Sequence, residues 1–474
     1  MKKIHLILVV LLSVFTISTA FAVDLSELRG RVIDAQTSSP LPGATISIPD
    51  LNKSALTNEK GEFTFKNVPA KGRFLIQIRY IGYRTFTQYV DFANSVMQEI
   101  ALQPSVIEGK EVVITGSGSS SDKRKNSTSI TTVSKEDLLS HPTTNLIDAL
   151  SRVPGVAQVT TGPAISKPVI RGLSYNRVVT VNNGVKQQGQ QWGDEHGIEI
   201  DQYSADHVEI LRGPASLMYG SDALGGVINI LDGLPAPDGT LRGEFLSNYA
   251  TNNGLTGNSL MLQGNENGLV YKVRGSYKNA YSYKTPTEYV PNSGFNETSF
   301  SGQIGLNKKW GYAHLDASTF HNNIGFYEPT RNDAGQLVDE DGDIYSDKQN
   351  KDRTLAYPQQ DIRHTKLALN SNILLGNGSL KSILGYQHNS RKEIEGAGDD
   401  GLALYLNSHT YSYDLRYSIR EINGWAPVFG VSGEYMHSIN TTGAEQLVPD
   451  YDSQAFGAFA YLKKTWDSDT FNAG

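Results

Sequence analysis

The chain has 0 cysteines, so it gives up disulfide staples. A chain without them must rely on large cores or closed sheets, and 474 residues are enough for either. Long hydrophobic runs are scarce too. The single apolar stretch, residues 4–17, is shorter than the ~20 residues a spanning helix needs. Any membrane-crossing segment must therefore be built from strands. Positive charge is in deficit: 42 Lys+Arg against 49 Asp+Glu give −7, which argues against a nucleic-acid partner. There is no P-loop, dinucleotide fingerprint, HExxH or nucleophile elbow. No enzymatic activity and no cofactor are expected.

What is abundant is Gly (46) and Tyr (24), with hydrophobic content of only 38%. Lys2 and Lys3 precede the apolar stretch, and Ala20-Phe21-Ala22 is a small-x-small cleavage site. This predicts a secretory signal peptide over residues 1–22. Its removal takes two lysines and moves the net charge from −7 to −9. Residues 23–104 then show short alternating runs punctuated by Gly43, Gly61, Gly72 and Gly82, the spacing of a small β-sandwich.

Residues 129–232 carry a different order. Ser134 with Asp137 reads as a capping box ahead of a short helix. Leu146 to Leu150 continue to Val153-Pro154-Gly155, where a helix ends. Pro168 to Leu173, with Arg171-Gly172, lead to a strand at Arg177 to Val181 and a turn at Asn182-Asn183-Gly184. The most informative stretch is Val208 to Ile230: a strand, Arg212-Gly213-Pro214, Tyr219-Gly220-Ser221, Gly225-Gly226 and a second strand. Gly and Pro there make a compact strand–loop–strand unit. These motifs, in this order, resemble the plug domain of TonB-dependent outer-membrane receptors. Gly30 to Asp34, Pro42-Gly43-Ala44, Thr57 to Phe63 and Gly82-Tyr83 resemble the carboxypeptidase-regulatory-like domain that precedes many such plugs. The resemblance implies a mainly β protein. It would hold an N-terminal β-sandwich, an α+β plug and part of an antiparallel transmembrane β-barrel.

Residues 105–128 are a Ser/Gly/charge-rich linker. Within it, Glu111, Val112, Val113, Ile114 and Thr115 resemble the TonB box. Such an exposed strand-former can add to a partner's sheet edge. The other reading is a last strand of the sandwich. The resemblance implies TonB and its inner-membrane energising complex as partners. It also implies Arg171 and Arg212 as plug contacts to acids on the barrel wall, and a periplasmic place for plug and sandwich.

Residues 240–474 alternate polar and apolar positions, as in Tyr411, Tyr413, Leu415, Tyr417 and Ile419 against Thr410, Ser412, Asp414, Arg416, Ser418 and Arg420. Tight turns at 265–268, 308–311, 375–378, 421–424 and 467–470 alternate with longer loops at 283–297, 326–361, 392–408 and 441–452. This is the asymmetry of an outer-membrane barrel with outer-membrane lipid around it. About ten strands are expected. Plugged transporters have about 22, so the chain reads as a fragment.

The loop at Gln187 to Asp201 follows a plug strand and is expected to face outward. Asp194, Glu195 and His196 offer ligands for zinc or another divalent ion. Gln188, Gln191 and Trp192 suit an organic ligand instead. The expected function is TonB-dependent uptake of a scarce solute: a metal ion such as zinc, or a metal complex. A ferric-siderophore or haem receptor, and a signalling or adhesion receptor without transport, are the alternatives. If residues 1–22 are a signal peptide, mass spectrometry of the outer-membrane protein finds Val23 at the mature N-terminus. Ala22→Asp leaves a longer precursor. Met1 in the membrane fraction would sink the assignment.

Overall fold

The computed structural model describes residues 25–93, 96–105, 112–113, 121–122, 129–190, 193–326, 330–339, 341–398, 401–440, 448–466 and 469–473. The expected signal peptide, Glu111, Ile114, Thr115, Gln191 and Trp192 lie outside the described residues.

The N-terminal strands are β1 (Leu25–Asp34), β2 (Thr45–Ile48), β3 (Lys53–Leu56), β4 (Glu62–Pro69), β5 (Arg73–Arg79), β6 (Phe86–Asp91) and β7 (Val96–Leu102). They form two sheets, ordered β4-β1-β7 and β3-β2-β5-β6. Alternation places Phe63 and Phe65 of β4 inward, against Ile46 and Ile48 of β2 and Ile76 and Ile78 of β5. The core is thus local to the sandwich. Next, β8 (Val112–Val113) pairs antiparallel with β9 (Ser121–Asp122) and joins neither sandwich sheet.

The plug begins at β10 (Ser129–Ser134). Ser134 caps the helix Lys135–Leu139, and both bonds of the expected Ser–Asp box are present. A second helix, Leu146–Leu150, is capped by Asn145, whose side chain accepts from the Asp148 N–H at 2.9 Å. The hairpin of β11 (Val156–Gly162) and β12 (Ile165–Ile170) follows, then β13 (Val178–Asn182), β14 (Val185–Lys186), β15 (His207–Arg212) and β16 (Gly226–Leu231). The five-stranded plug sheet runs β10-β15-β16-β13-β14. Between β15 and β16 the glycine-rich stretch coils through the 3-10 helix Pro214–Tyr219. Gly226 is required there: it has φ +144, and a Cβ would sit 2.5 Å from the Leu211 carbonyl oxygen.

The remaining strands make one antiparallel sheet in sequence order. They are β17 (Thr240–Ala250), β18 (Leu255–Glu266), β19 (Leu269–Ala280), β20 (Phe295–Lys308), β21 (Gly311–Gly325), β22 (Gln359–Leu375), β23 (Gly378–Ile394), β24 (Leu402–Ile419), β25 (Trp425–Asn440), β26 (Tyr451–Trp466) and β27 (Asp469–Ala473). Outward positions are apolar and bare: Leu241 is 68% and Phe245 69% exposed. This is the lipid-facing band of a membrane barrel. On that face Tyr386, Tyr411 and Tyr435 stand in register across three strands. One step further toward the long loops, His388, His409 and His437 do the same.

One expected loop is mostly strand. Lys392 pairs with Tyr405 and Arg391 with Leu406, so the loop over 392–408 shrinks to 395–401. The polar run misleads because an inward barrel face is itself polar. The sandwich rests on the short-turn end of this sheet. Asn372 and Asn307 donate to the carbonyls of Asp50 (3.0 Å) and Asn52 (2.7 Å), and Arg73 pairs with Glu421 at 2.8 Å. Because the sandwich core is local, residues 24–104 are expected to fold alone. In that fragment Ile76→Ala should lower stability by about 2–5 kcal/mol. Urea denaturation followed by circular dichroism checks both claims.

Candidate functional site

The loop joining β14 to β15 rises from the plug into the sheet's concave face, and a buried polar network holds it. Glu199, with its side chain 2% exposed, is the centre. One carboxylate oxygen accepts from Arg391 at 2.7 Å. The other lies 2.7 Å from His364 Nδ1 and accepts from Asn389 at 2.7 Å. The side chain of Gln190 donates to Asn389 at 3.0 Å. Gln188 meets the wall twice, its N–H on Gln387 at 3.2 Å and its side chain on Glu434 at 2.7 Å. Gln387, Asn389 and Arg391 are alternate residues of β23, so the strand period of two aims all three inward. Burying the carboxylate is tolerable because its oxygens are fully engaged.

Other contacts seat the plug lower down. Lys135 and Arg274 share Glu244 at 2.5 and 2.9 Å. Lys278 donates to the Thr144 carbonyl at 3.3 Å, and Asp232 pairs with Lys272. The Asn182–Gly184 turn lies against Ile383, where a Cβ on Gly184 would come within 2.3 Å of that side chain. Within the plug, burial opposes a charge on His207. The carboxylates of Asp206 at 3.2 Å and Glu209 at 3.7 Å outweigh that and hold it up to about 9. A cavity of about 310 Å³ opens where sandwich, plug and sheet meet, lined by Asp50, Arg73, Tyr219, Asp232, His314 and Lys381 among others.

The expected metal triad does not form. Asp194 and Glu195 are exposed, and Asp194 accepts a bond from the Tyr175 hydroxyl. His196 turns the other way and is 2% exposed. Its Nδ1 lies 2.5 Å from the Gln190 carbonyl oxygen and its Nε2 3.5 Å from Glu393. Burial, with the nearby Arg391 charge, holds its pKa down. Among the described residues no cluster of His, Asp and Glu is arranged to hold a metal ion. The turn from Gly193 to His196 separates the side chains that adjacency in sequence had grouped. Arg212, expected on the barrel wall, instead bonds Thr131 at 3.3 Å and the Pro154 carbonyl at 2.9 Å, inside the plug. Arg171 is exposed, in a left-handed turn with φ +53, and makes no hydrogen bond or ion pair among the described residues. Glu199 and its wall partners were not foreseen. The alternate Gln387, Asn389, Arg391 pattern was the available signal.

Two family models match. The TonB-dependent Receptor Plug Domain covers residues 122–227, and the CarboxypepD_reg-like domain covers 28–114. Over 127 residues the chain is 36% identical to the iron-regulated outer membrane virulence protein of Vibrio cholerae, covering 25% of this chain and 19% of that one. Over 152 residues it is 31% identical to the ferrichrome outer membrane transporter/phage receptor of Escherichia coli K12, covering 31% and 20%. Over 96 residues it is 40% identical to the heme/hemopexin utilization protein C of Haemophilus influenzae, covering 20% and 13%. Two solved structures share the fold. The siderophore receptor PirA of Acinetobacter baumannii has a TM-score of 0.54 at 17% identity, covering 71% of this chain and 54% of that one. Pseudomonas aeruginosa FpvA bound to a ferric pyoverdine has 0.57 at 14%, covering 77% and 55%. The matches thus span a fifth or less of the curated relatives and about half of the solved chains. Residues 122–227 thus carry the plug domain of TonB-dependent receptors and residues 28–114 a CarboxypepD_reg-like domain, and the antiparallel sheet shares the fold of the two solved receptors.

Removing one member of a buried ion pair strands the other, at about 3–5 kcal/mol. Arg391→Met should therefore loosen the plug loop by that order. The double variant Arg391→Met with Glu199→Gln should recover most of the loss. Protease susceptibility of the plug along a urea series measures both. Equal loosening in single and double variants would rule out the pair as the seat.

Proposed function

We propose that the chain captures an iron complex, a ferric siderophore or haem, for uptake across the outer membrane. The observation that carries this reading is the apical loop, presented toward the long-loop end and tied through Glu199 to the wall. A ligand touching Gln188 or its neighbours acts on the hydrogen bonds that seat the plug. Binding and plug release then share one set of side chains. The relatives' names, iron-regulated, ferrichrome and heme/hemopexin, support an iron complex over a bare ion. The inward turn of His196, away from Asp194 and Glu195, favours the same choice.

Energy comes from a partner. The segment around Val112 and Val113 is the proposed TonB contact, on the periplasmic side with the sandwich and the short turns. Its pairing with β9 spans two residues and is readily exchanged for a partner strand.

The test is uptake of radioactive iron by iron-starved cells carrying the full-length receptor. Ferric siderophores and hemin are offered, with and without an ionophore that collapses the proton gradient. Accumulation that stops with the gradient, and with deletion of residues 111–115, is expected. Binding without accumulation would turn the reading to a signalling receptor. Accumulation that persists without the gradient would overturn energised transport.

A further inference from the structure

Lys167 is the third residue of β12 and is 1% exposed. Its ammonium makes no hydrogen bond among the described residues. It lies 4.3 Å from the centroid of the Tyr175 ring, which covers it. A buried ammonium has three donors to satisfy, and an aromatic face satisfies none of them directionally. Arg391 on the barrel wall, 0% exposed, likewise leaves its Nε without a partner. Two carboxylates stand close enough to act on Lys167 through space, Asp194 and Glu195. Neither forms an ion pair with it. Asp194 is taken instead by the Tyr175 hydroxyl.

We infer that Lys167 is the plug's contact for an anionic oxygen of the captured complex, reached when Tyr175 swings aside. The inference rests on the receptor reading above and adds the charge of the ligand. A carboxylate, catecholate or propionate oxygen supplies acceptors and no donors, which is what the unfilled ammonium requires. The exposed carboxylates of Asp194 and Glu195 oppose the same anion, so binding pushes their loop outward. That loop also carries His196, held against Glu393 on the wall, and leads into Glu199. Anion capture at Lys167 thereby reaches the network that seats the plug. Burial, partly offset by those two carboxylates, lowers the Lys167 pKa to about 8. The charged form that the site needs is accordingly lost above that pH.

The purified full-length receptor is titrated with ferric enterobactin, hemin and the uncharged complex ferrichrome, with binding read by tryptophan quenching. At pH 7 an anionic complex is expected to bind, and Lys167→Met to weaken it about tenfold or more. Asp194→Asn, an exposed and structurally mild change, should tighten the same complex. In the unaltered receptor that affinity should fall as pH rises through about 8, and Lys167→Met should flatten the profile. An anionic complex that binds Lys167→Met as tightly as the unaltered receptor would overturn the inference and leave the receptor reading intact. So would binding of ferrichrome alone. If none of the three complexes binds the unaltered receptor, the iron-complex reading falls, and the role of Lys167 with it.

Discussion

Every backbone N–H and C=O that faces lipid must find its partner in a neighbouring strand, because hydrocarbon offers none. The rest of the molecule follows from that constraint. Strands β17 to β27 pair consecutively and antiparallel, so no peptide group between neighbours is left open to the bilayer. Pairing in turn sorts side chains by parity. Outward positions take Leu241, Phe245 and Tyr411, and inward positions take Thr410, Asn389 and Arg391. A polar inner wall cannot be filled by an oily core, so the plug that fills it is held by charge and hydrogen bonds.

That division makes the molecule three bodies with different glues. The sandwich is cemented by Phe63, Phe65, Ile46 and Ile76, which water cannot reach. The plug has a similar apolar centre around Val208, Ile210 and Ile228. Between plug and wall the contacts are ionic and amide bonds centred on Glu199, Glu244, Asp232 and Lys278. Apolar cores unfold as units, whereas a polar interface can be exchanged bond for bond with water or ligand. The arrangement allows the plug to shift while staying folded.

The class of fold was legible in the residues because its signals are local. The Ser134–Asp137 cap, the Gly225-Gly226 turn and the alternation in β24 each depend on residues near one another in sequence. The site was much less legible. Asp194, Glu195 and His196 are adjacent in sequence, yet the turn at Gly193 sends His196 inward and leaves the two acids outside. Glu199 finds Arg391 across 192 residues of chain, a pairing no local pattern announces. The same blindness turned the end of β23 into a loop. Its Lys392 and Glu393 look solvated until they pair with Tyr405 and Leu404 of β24.

The tyrosines in register across β23, β24 and β25 also set a height. Aromatic rows of this kind settle at the edge of the hydrocarbon. At about 3.3 Å per residue and a tilt near 40°, the stretch of β23 from Tyr386 to Ile394 rises roughly 20 Å past that line. This strand is therefore taller than the membrane it crosses, and its upper half forms part of a collar standing in the aqueous space. A bulky visitor meets that collar before it meets lipid headgroups. The first filter on what enters is thus the width and chemistry of a protein rim, not the permeability of the bilayer surface.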